Sequence, residues 1–584
     1  MRTIKFSIAR QTQIMRALLV IIVSFIFSFS HAQMTNWYDK DAKAGEFMSI
    51  STNKAYDEII PDRKPEQIIV AIIDSGVDAE HEDLKDVMWV NKGEMPDNGI
   101  DDDKNGYIDD INGWNFLGNS NGDNVHKDNL EMTRLYAEYH KSFKNTNSAA
   151  DVPIDLIGKY QNYIEWKQRI KKERDKHLGE LEELRKSKSY LLEVMDAVSI
   201  ELGRDSIYDA DLDEFSVSPD PLLSVGSRVL TGIKQEYKVI PTVTELVHDI
   251  KLQYDYMMED HDLRGNYYYN PDLDTRKIIG DNYLDVNEKY YGNNDVEGPD
   301  ALHGTHVAGI VAAVRDNEIG MNGVSSNARI MSVRVVPDGD ERDKDVANGI
   351  YYAVDNGAKV INMSFGKGQS PYKEVVDKAV RYAEKKDVVM IHASGNDAAD
   401  NDIVENYPSD TYEKGFGFLF FKKKSPKNWL EIGAVGSDEG KNTVATFSNY
   451  GKTQVDVFAP GLYMISTLPD DNYTVLQGTS MAAPVVSGIA AVIRGYFPDL
   501  KAKDVKKVIM ESSIKSNREV IVPGTDGKTQ KFSNLSVSGG AVNLYTAFIS
   551  ANKISKYGGE LKKKSDSKKS VSDKKEVKAV EAGL

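Results

Sequence analysis

Hydrophobic positions fall into two patterns along this chain. The stretch "PEQIIVAIIDS" (65–75) is an unbroken, β-branched apolar run that ends on polar residues. That pattern predicts a strand buried on both faces. Comparable runs lie at 328–336 ("ARIMSVRVV"), 357–363 ("GAKVINM"), 387–393 ("DVVMIHA") and 430–435 ("LEIGAV"). Between them, 303–315, 344–356 and 371–385 carry apolar residues at helical spacing. Strands alternating with helices predict an α/β fold: a three-layer sandwich with a mostly parallel central sheet.

The block 125–270 follows the other pattern. Leu156, Tyr160, Tyr163 and Ile170 keep three–four spacing, and Leu181, Leu184, Leu191, Met195 and Val198 resume it after the charged stretch "KQRIKKERDKHLGELEELRKSK". This predicts long amphipathic helices paired as an antiparallel hairpin, with a further helix over 243–260. The block is expected to be an inserted helical subdomain with a solvated charged face; the competing reading makes it a surface for a partner.

The two ends differ again. Arg2, Lys5, Arg10 and Arg16 precede "ALLVIIVSFIFSF", and Ser30-His31-Ala32 supplies small residues where a signal peptidase cuts, so 1–32 is expected to be an export signal. The apolar run is shorter than the ~20 residues of a membrane span, so no span is expected after cleavage. The Lys/Ser-rich tail, 553–584, has little to bury and is expected to be disordered. One domain then remains in two parts, 33–124 and 271–552.

Composition narrows the function. A net charge of -17 argues against sequence-independent nucleic-acid binding, which needs a basic surface. The chain has no cysteine, hence no disulfide and no lipid-modified cysteine, although it is expected to be secreted or to reach the periplasm or cell surface.

Three stretches carry candidate chemistry. "IIVAIIDSGVD" ends a buried strand on Asp74, "HGTHVAGIVAAV" opens a helix on His303, and "GTSMAAPVVSG" opens another on Ser480. Serine hydroxyls are poor nucleophiles unless a base sits beside them. A histidine supplies that base, and a carboxylate fixes its tautomer and stabilises its charged form. A helix N-terminus beneath the serine offers free N–H groups to developing negative charge. With their order Asp, His, Ser and their near-complete motifs, 36–118 and 295–550 resemble the subtilisin-like serine peptidases, the subtilases.

That resemblance implies hydrolysis of polypeptides through an acyl-enzyme on Ser480, with His303 as base and then acid, Asp74 orienting it, and no cofactor for catalysis. It makes His306 structural. It assigns Asn396, in "ASGNDAAD", to the oxyanion hole, and Ser364, Phe365 and Gly366, in "VINMSFGKG", to a substrate-binding edge. It also implies a cis bond at Tyr407-Pro408. The chain departs from the family pattern at its long insertion, at the charged loop "VPDGDERDKD" (336–345), and in having only some 36 residues between the signal and the first strand. Residues 35–60 are therefore read as an N-terminal arm. The alternative is a catalytically silent binding protein that works through the insertion.

A metal site is also expected. Asp101, Asp103, Asn105, Tyr107 and Asp109 place oxygens at alternate positions around Gly106, as in the first part of a calcium-binding loop. The twelfth position is Asn112, not Glu, with Asp110 as the nearest substitute. Structural Ca²⁺ is the ion this donor set suits; a solvated acidic loop is the competing reading.

Overall fold

The computed structural model describes residues 37–40, 49–60, 64–237, 240–415, 424–438, 440–559 and 561. The expected signal (1–32), tail residues 562–584 and the stretch 416–423 lie outside the described residues. Among the described residues no helix is long and apolar enough to cross a membrane. The described residues divide into two compact units: 127–275 with 338–340, and the rest of them.

The larger unit is built on a nine-stranded sheet. Its strands are β1 (Ile68–Asp74), β2 (Gly113–Asn115), β3 (Ala328–Arg334), β4 (Val360–Met363), β5 (Val389–Ala393), β6 (Trp429–Val435), β7 (Val457–Pro460), β10 (Ile514–Lys515) and β13 (Gly540–Ala541). Hairpins β8–β9 (Met464–Leu468, Asn472–Leu476) and β11–β12 (Glu519–Ile521, Thr529–Lys531) stand apart from it. The spatial order is β10-β13-β7-β6-β5-β4-β1-β3-β2, parallel except where β10 meets β13. β1, the continuous apolar run, lies between β3 and β4.

The smaller unit is helical: α1 (Glu131–Phe143), α2 (Ile157–Leu202), α3 (Asp209–Ser216), α4 (Pro221–Tyr237) and α5 (Val243–Asp262). The hairpin expected across the charged stretch does not form. α2 runs straight through it for 46 residues. That stretch contains no proline and is rich in good helix formers, and Lys171–Asp175 and Lys186–Glu182 pair one turn apart along it, so nothing turns the chain. α2 ends where Gly203 takes a left-handed conformation (φ 59°). Its antiparallel partner is α5, as Lys188–Asp255 and His177–His261 contacts show. Val194, Met195 and Val198 pack with Leu212, Phe215, Leu230 and Leu246 in one core; Trp166 and Ile170 pack with Met132 and Leu135 in another.

Six helices flank the sheet: α6 (Leu302–Ala312), α7 (Asp343–Asp355), α8 (Lys373–Lys385), α9 (Thr479–Tyr496), α10 (Ala502–Ser512) and α11 (Leu544–Ile554). Alternation along β1 sorts them into layers. Ile68, Val70 and Ile72 join a core with α6, α9, α10 and α11, whereas Ala71 and Ile73 join a second core with α7 and α8. Period-two geometry sends successive side chains to opposite faces, so a strand apolar at every position requires a helical layer on each side. The first core also takes in Trp37, Tyr38 and Ile50 from the N-terminal arm. The Trp37 indole donates to Leu462 O (3.2 Å), and Asn543 holds Ser51 Oγ (3.0 Å).

Candidate active site

The C-terminal end of β1 delivers Asp74, and α6 delivers His303. The α6 N-terminus lies so close to the strand end that a Cβ on Gly304 would be 2.0 Å from Gly76 O and 3.3 Å from Asp74 Cβ. Glycine is required there, and the close approach lets His303 Nδ1 donate to Asp74 Oδ1 at 2.6 Å. Asp74 is 1% exposed on its side chain and His303 36%. Ser75 N–H donates to the same carboxylate oxygen (2.8 Å). Burial works against charging His303, but the Asp74 carboxylate, by its charge and its hydrogen bond, outweighs this and raises the imidazole above its ordinary range. His306, one turn on, is fully enclosed; burial outweighs its contact with Thr474 O (3.2 Å) and pushes it down to about 3.

Ser480 comes from the other side of β1. It sits in the first turn of α9, whose sixth residue is Pro484. A proline cannot donate to the carbonyl four residues back. That carbonyl, Ser480 O, is taken instead by the Ser364 hydroxyl at 2.8 Å. In return the Ser480 hydroxyl donates to Ser364 O at 3.0 Å. Because Ile73 pairs with Met363, the next position in register sets Ser364 beside Asp74. Adjacent strands lie ~4.8 Å apart, so Asp74 with its histidine and Ser480 with its helix flank one residue, Ser364.

Asn396 follows β5. Its Oδ1 accepts from Thr479 N–H (2.9 Å) and Thr479 Oγ1 (3.0 Å), which fixes the amide and orients Nδ2 as the remaining donor. A Cβ built on Gly478 would lie 3.5 Å from Asn396 Nδ2 and 3.5 Å from Ser480 N. Both nitrogens therefore lie close to Gly478, beside the serine.

The segment 364–366 continues β4. Ser364 is buried, and its side chain serves Ser480 rather than facing outward; Phe365 is half-buried and Gly366 exposed. Phe365 O contacts His392 Nε2 (2.8 Å), and His392 Nδ1 contacts Glu431 (2.9 Å) in the interior. Lys367 and Tyr407 exchange backbone hydrogen bonds at 2.9 Å each, and Tyr407-Pro408 is cis. The charged loop 336–345 is paired. The Tyr268 hydroxyl donates to Asp338 (3.0 Å) and Glu131 N–H to Asp340 (2.8 Å), while Lys367 meets Asp343 (2.9 Å) and Arg276 meets Asp345 (2.6 Å). Those four carboxylates are held by partners within the fold.

At 94–109, Asp101, Asp103 and Glu94 bring carboxylate oxygens within 4.8 Å of one another. Asp101 accepts from Asn105 N (3.0 Å) and Gly106 N (2.9 Å), and Asn105 Oδ1 accepts from Tyr107 N (2.8 Å). The Asp109 carboxylate is turned to Asn98 N and Gly99 N, and the Tyr107 ring packs against Trp114 and Tyr352. Asp110 is taken up by Asn91 (2.7 Å), Asn105 (3.0 Å) and Tyr352 (2.6 Å). The carboxylate that completes the cluster is Glu94, which sequence reasoning missed because it precedes the loop and no fixed spacing marks it.

Residues 66–539 match the model of the Subtilase family, Peptidase_S8. The chain is 38% identical to a thermophilic serine proteinase of Bacillus sp. (strain AK1) over 39% of this chain and 49% of that protein. It is 36% identical to subtilisin DY of Bacillus licheniformis over 39% of this chain and 74% of that protein. It is 37% identical to thermitase of Thermoactinomyces vulgaris over 38% of this chain and 70% of that protein. The first of these alignments spans about half of the relative's length.

Proposed function

The chain belongs to the subtilase family of serine peptidases, and on that premise we propose that it is a secreted endopeptidase acting through Asp74, His303, Ser480 and Asn396. The observation that carries this reading is the 2.6 Å bond from His303 to a buried Asp74, with Ser480 held beside the same strand ends by Ser364. His303 takes the Ser480 hydroxyl proton as Oγ bonds to the scissile carbonyl carbon. The carbonyl oxygen becomes an oxyanion, met by Ser480 N–H and Asn396 Nδ2. As the C–N bond breaks, His303 returns the proton to the leaving amine. Water then repeats the sequence on the acyl-enzyme, releasing the acid and restoring Ser480. Asp74 stabilises the imidazolium at each stage. The extended segment 364–366 is suited to pair with substrate backbone, a mode that tolerates many side chains.

The leader at 1–32 supports export. The all-oxygen cluster of Glu94, Asp101 and Asp103 fits a hard divalent cation such as Ca²⁺, since three carboxylates at that separation repel one another without one. Calcium there is structural and takes no part in the reaction.

A fluorophosphonate tests the reading, because it labels only an activated serine. Purified chain should gain one adduct, on the peptide containing Ser480, and Ser480→Ala should gain none. An unlabelled wild type, or equal labelling of the variant, overturns the proposal and favours the silent binding protein.

A further inference from the structure

Within the helical unit, three ligand-type side chains meet where α2 and α5 run side by side. His177 and Glu180 project from α2 three residues apart, and His261 projects from the last turn of α5. The two Nδ1 atoms are 2.9 Å apart, and Glu180 Oε2 is 3.3 Å from His261 Nδ1. One donor atom from each residue lies within 4.8 Å of the other two.

We propose that His177, His261 and Glu180 form a site for a first-row transition ion of the zinc class, clamping α2 to α5. Two imidazole nitrogens and one carboxylate oxygen are a borderline donor set. It suits zinc and its neighbours, whereas calcium and magnesium take oxygen ligands alone. Two nitrogens bound at ~2.0–2.1 Å around a tetrahedral ion stand ~3.3 Å apart, so the observed pair needs to open by only a few tenths of an ångström. Three protein ligands leave the fourth position to water, and the cleft lined by Gly179, Glu183, Met257 and Asp260 reaches both His261 and Glu180.

The surroundings hold the ligands as such a site requires. His177 is buried, its side chain 8% exposed, and its far nitrogen, Nε2, faces Glu173 Oε2 at 3.9 Å. At that distance Glu173 is a charged neighbour and not a hydrogen-bond partner; a carboxylate on that side of the ring favours the tautomer that presents Nδ1 to a metal. Tyr269 lies parallel to the His177 ring, interplanar angle 15°. The chain leaves α5 through a wider π-type turn, Leu263–Tyr268, whose Gly265 abuts Leu178: a Cβ there would lie 2.8 Å from Leu178 Cδ2. That contact fixes the register of His261 against His177.

The experiment uses the full chain carrying Ser480→Ala, stripped with chelator and kept in excess Ca²⁺ so that carboxylate sites are occupied. Zn²⁺ is titrated against a chromophoric zinc indicator, and Co²⁺ is followed by its visible d–d bands. One equivalent of Zn²⁺ should bind, Co²⁺ should give a tetrahedral spectrum, and hydrogen exchange should slow in α2 and α5 around the three ligands. Glu173→Gln should weaken binding on the order of tenfold, as loss of an outer carboxylate does elsewhere. His261→Gln should abolish stoichiometric binding. Should His261→Gln lose helix by circular dichroism, Glu180→Gln decides, because its side chain is 47% exposed and it carries no packing. Absence of stoichiometric Zn²⁺ binding, or binding unchanged by Glu180→Gln, overturns the proposal; in that case the two rings share one proton and nothing more.

Discussion

The buried ion network around Lys344 in the sheet unit and the exposed pairs along α2 in the helical unit treat charge in opposite ways. In the sheet unit, Lys344 is 0% exposed, with Nζ 2.7 Å from Asp281 and 2.7 Å from Glu288. Arg276 is 8% exposed and bound to Asp281 and Asp345. In the helical unit, Lys186 and Glu182 are 59% and 57% exposed along α2, and the contact between α1 and α2 is aromatic, with Tyr136 stacked on Tyr163 and Tyr139 on Trp166. Buried charges with fixed partners hold side chains to one position each, which is what a 2.6 Å bond between Asp74 and His303 demands. Exposed pairs demand nothing of that kind; α2 needs only an apolar stripe and good helix formers.

The contrast can be broken at several strengths. The largest effect is on chemistry. Ser480→Ala should lower peptide hydrolysis on the order of 10⁶-fold, with an unchanged melting temperature, measured on purified protein against a peptide library. Next is the buried lysine. Lys344→Met leaves Asp281 to Arg276 alone and Glu288 to the Asn282 N–H, and removing one partner of a buried pair costs about 3–5 kcal/mol; chemical denaturation should show that loss. Asn396→Ala should lower kcat about 10²–10³-fold with little change in KM, because its donor engages the oxyanion. An unchanged kcat would put another group in that place.

A pH profile compares two histidines on one helix. His303 is raised, so the acid limb of kcat/KM should have its midpoint above 6.5, where the general base takes up a proton. His306 is pushed down to about 3, so between pH 6.5 and 3 the unfolded chain binds a proton there that the folded chain does not. Its contribution to stability is present above pH 6.5 and is lost as pH falls toward 3. Thermal scans across that window should show falling stability, and His306→Asn should flatten the fall. The smallest effect belongs to α2: Lys186→Met should leave the melting temperature essentially unchanged, as exposed pairs contribute little. A loss comparable to that of Lys344→Met would erase the distinction between the units.

Much of the sheet was legible because β1, β3, β4, β5 and β6 are buried on both faces and read as mostly apolar runs. β2 was not, because it has three residues and owes its place to pairing with β3. In the helical unit the period was readable, but the turn between its long helices was misplaced. A charged stretch resembles a break in apolar pattern, although its residues favour helix. Asp74, His303 and Ser480 stand out because each ends a strand or opens a helix. The Ser364 hydroxyl on Ser480 O has no such mark: it joins residues 116 apart and exists only because Pro484 frees that carbonyl. Glu94 escaped for the same reason of distance.

The position of the helical unit in the chain has a kinetic consequence. β1 and its neighbour β3 are separated by about 250 residues. At ~5–20 residues per second of synthesis, β1 waits roughly ten seconds to a minute before that partner exists. The helical unit needs no such wait, since nearly all its segments are contiguous and its helices pack on near neighbours, the arrangement that folds fast. Asn129 Nδ2 reaches both Asn270 O (3.3 Å) and Leu273 O (3.2 Å), tying the way in to the way out. Once that contact is made, some 140 residues cease to count as loop, and the loop that β1 must close to reach β3 falls to about 110 residues. An apolar strand held unpaired during translation is an aggregation hazard, and early closure of the insertion shortens the time for which β1 stays exposed.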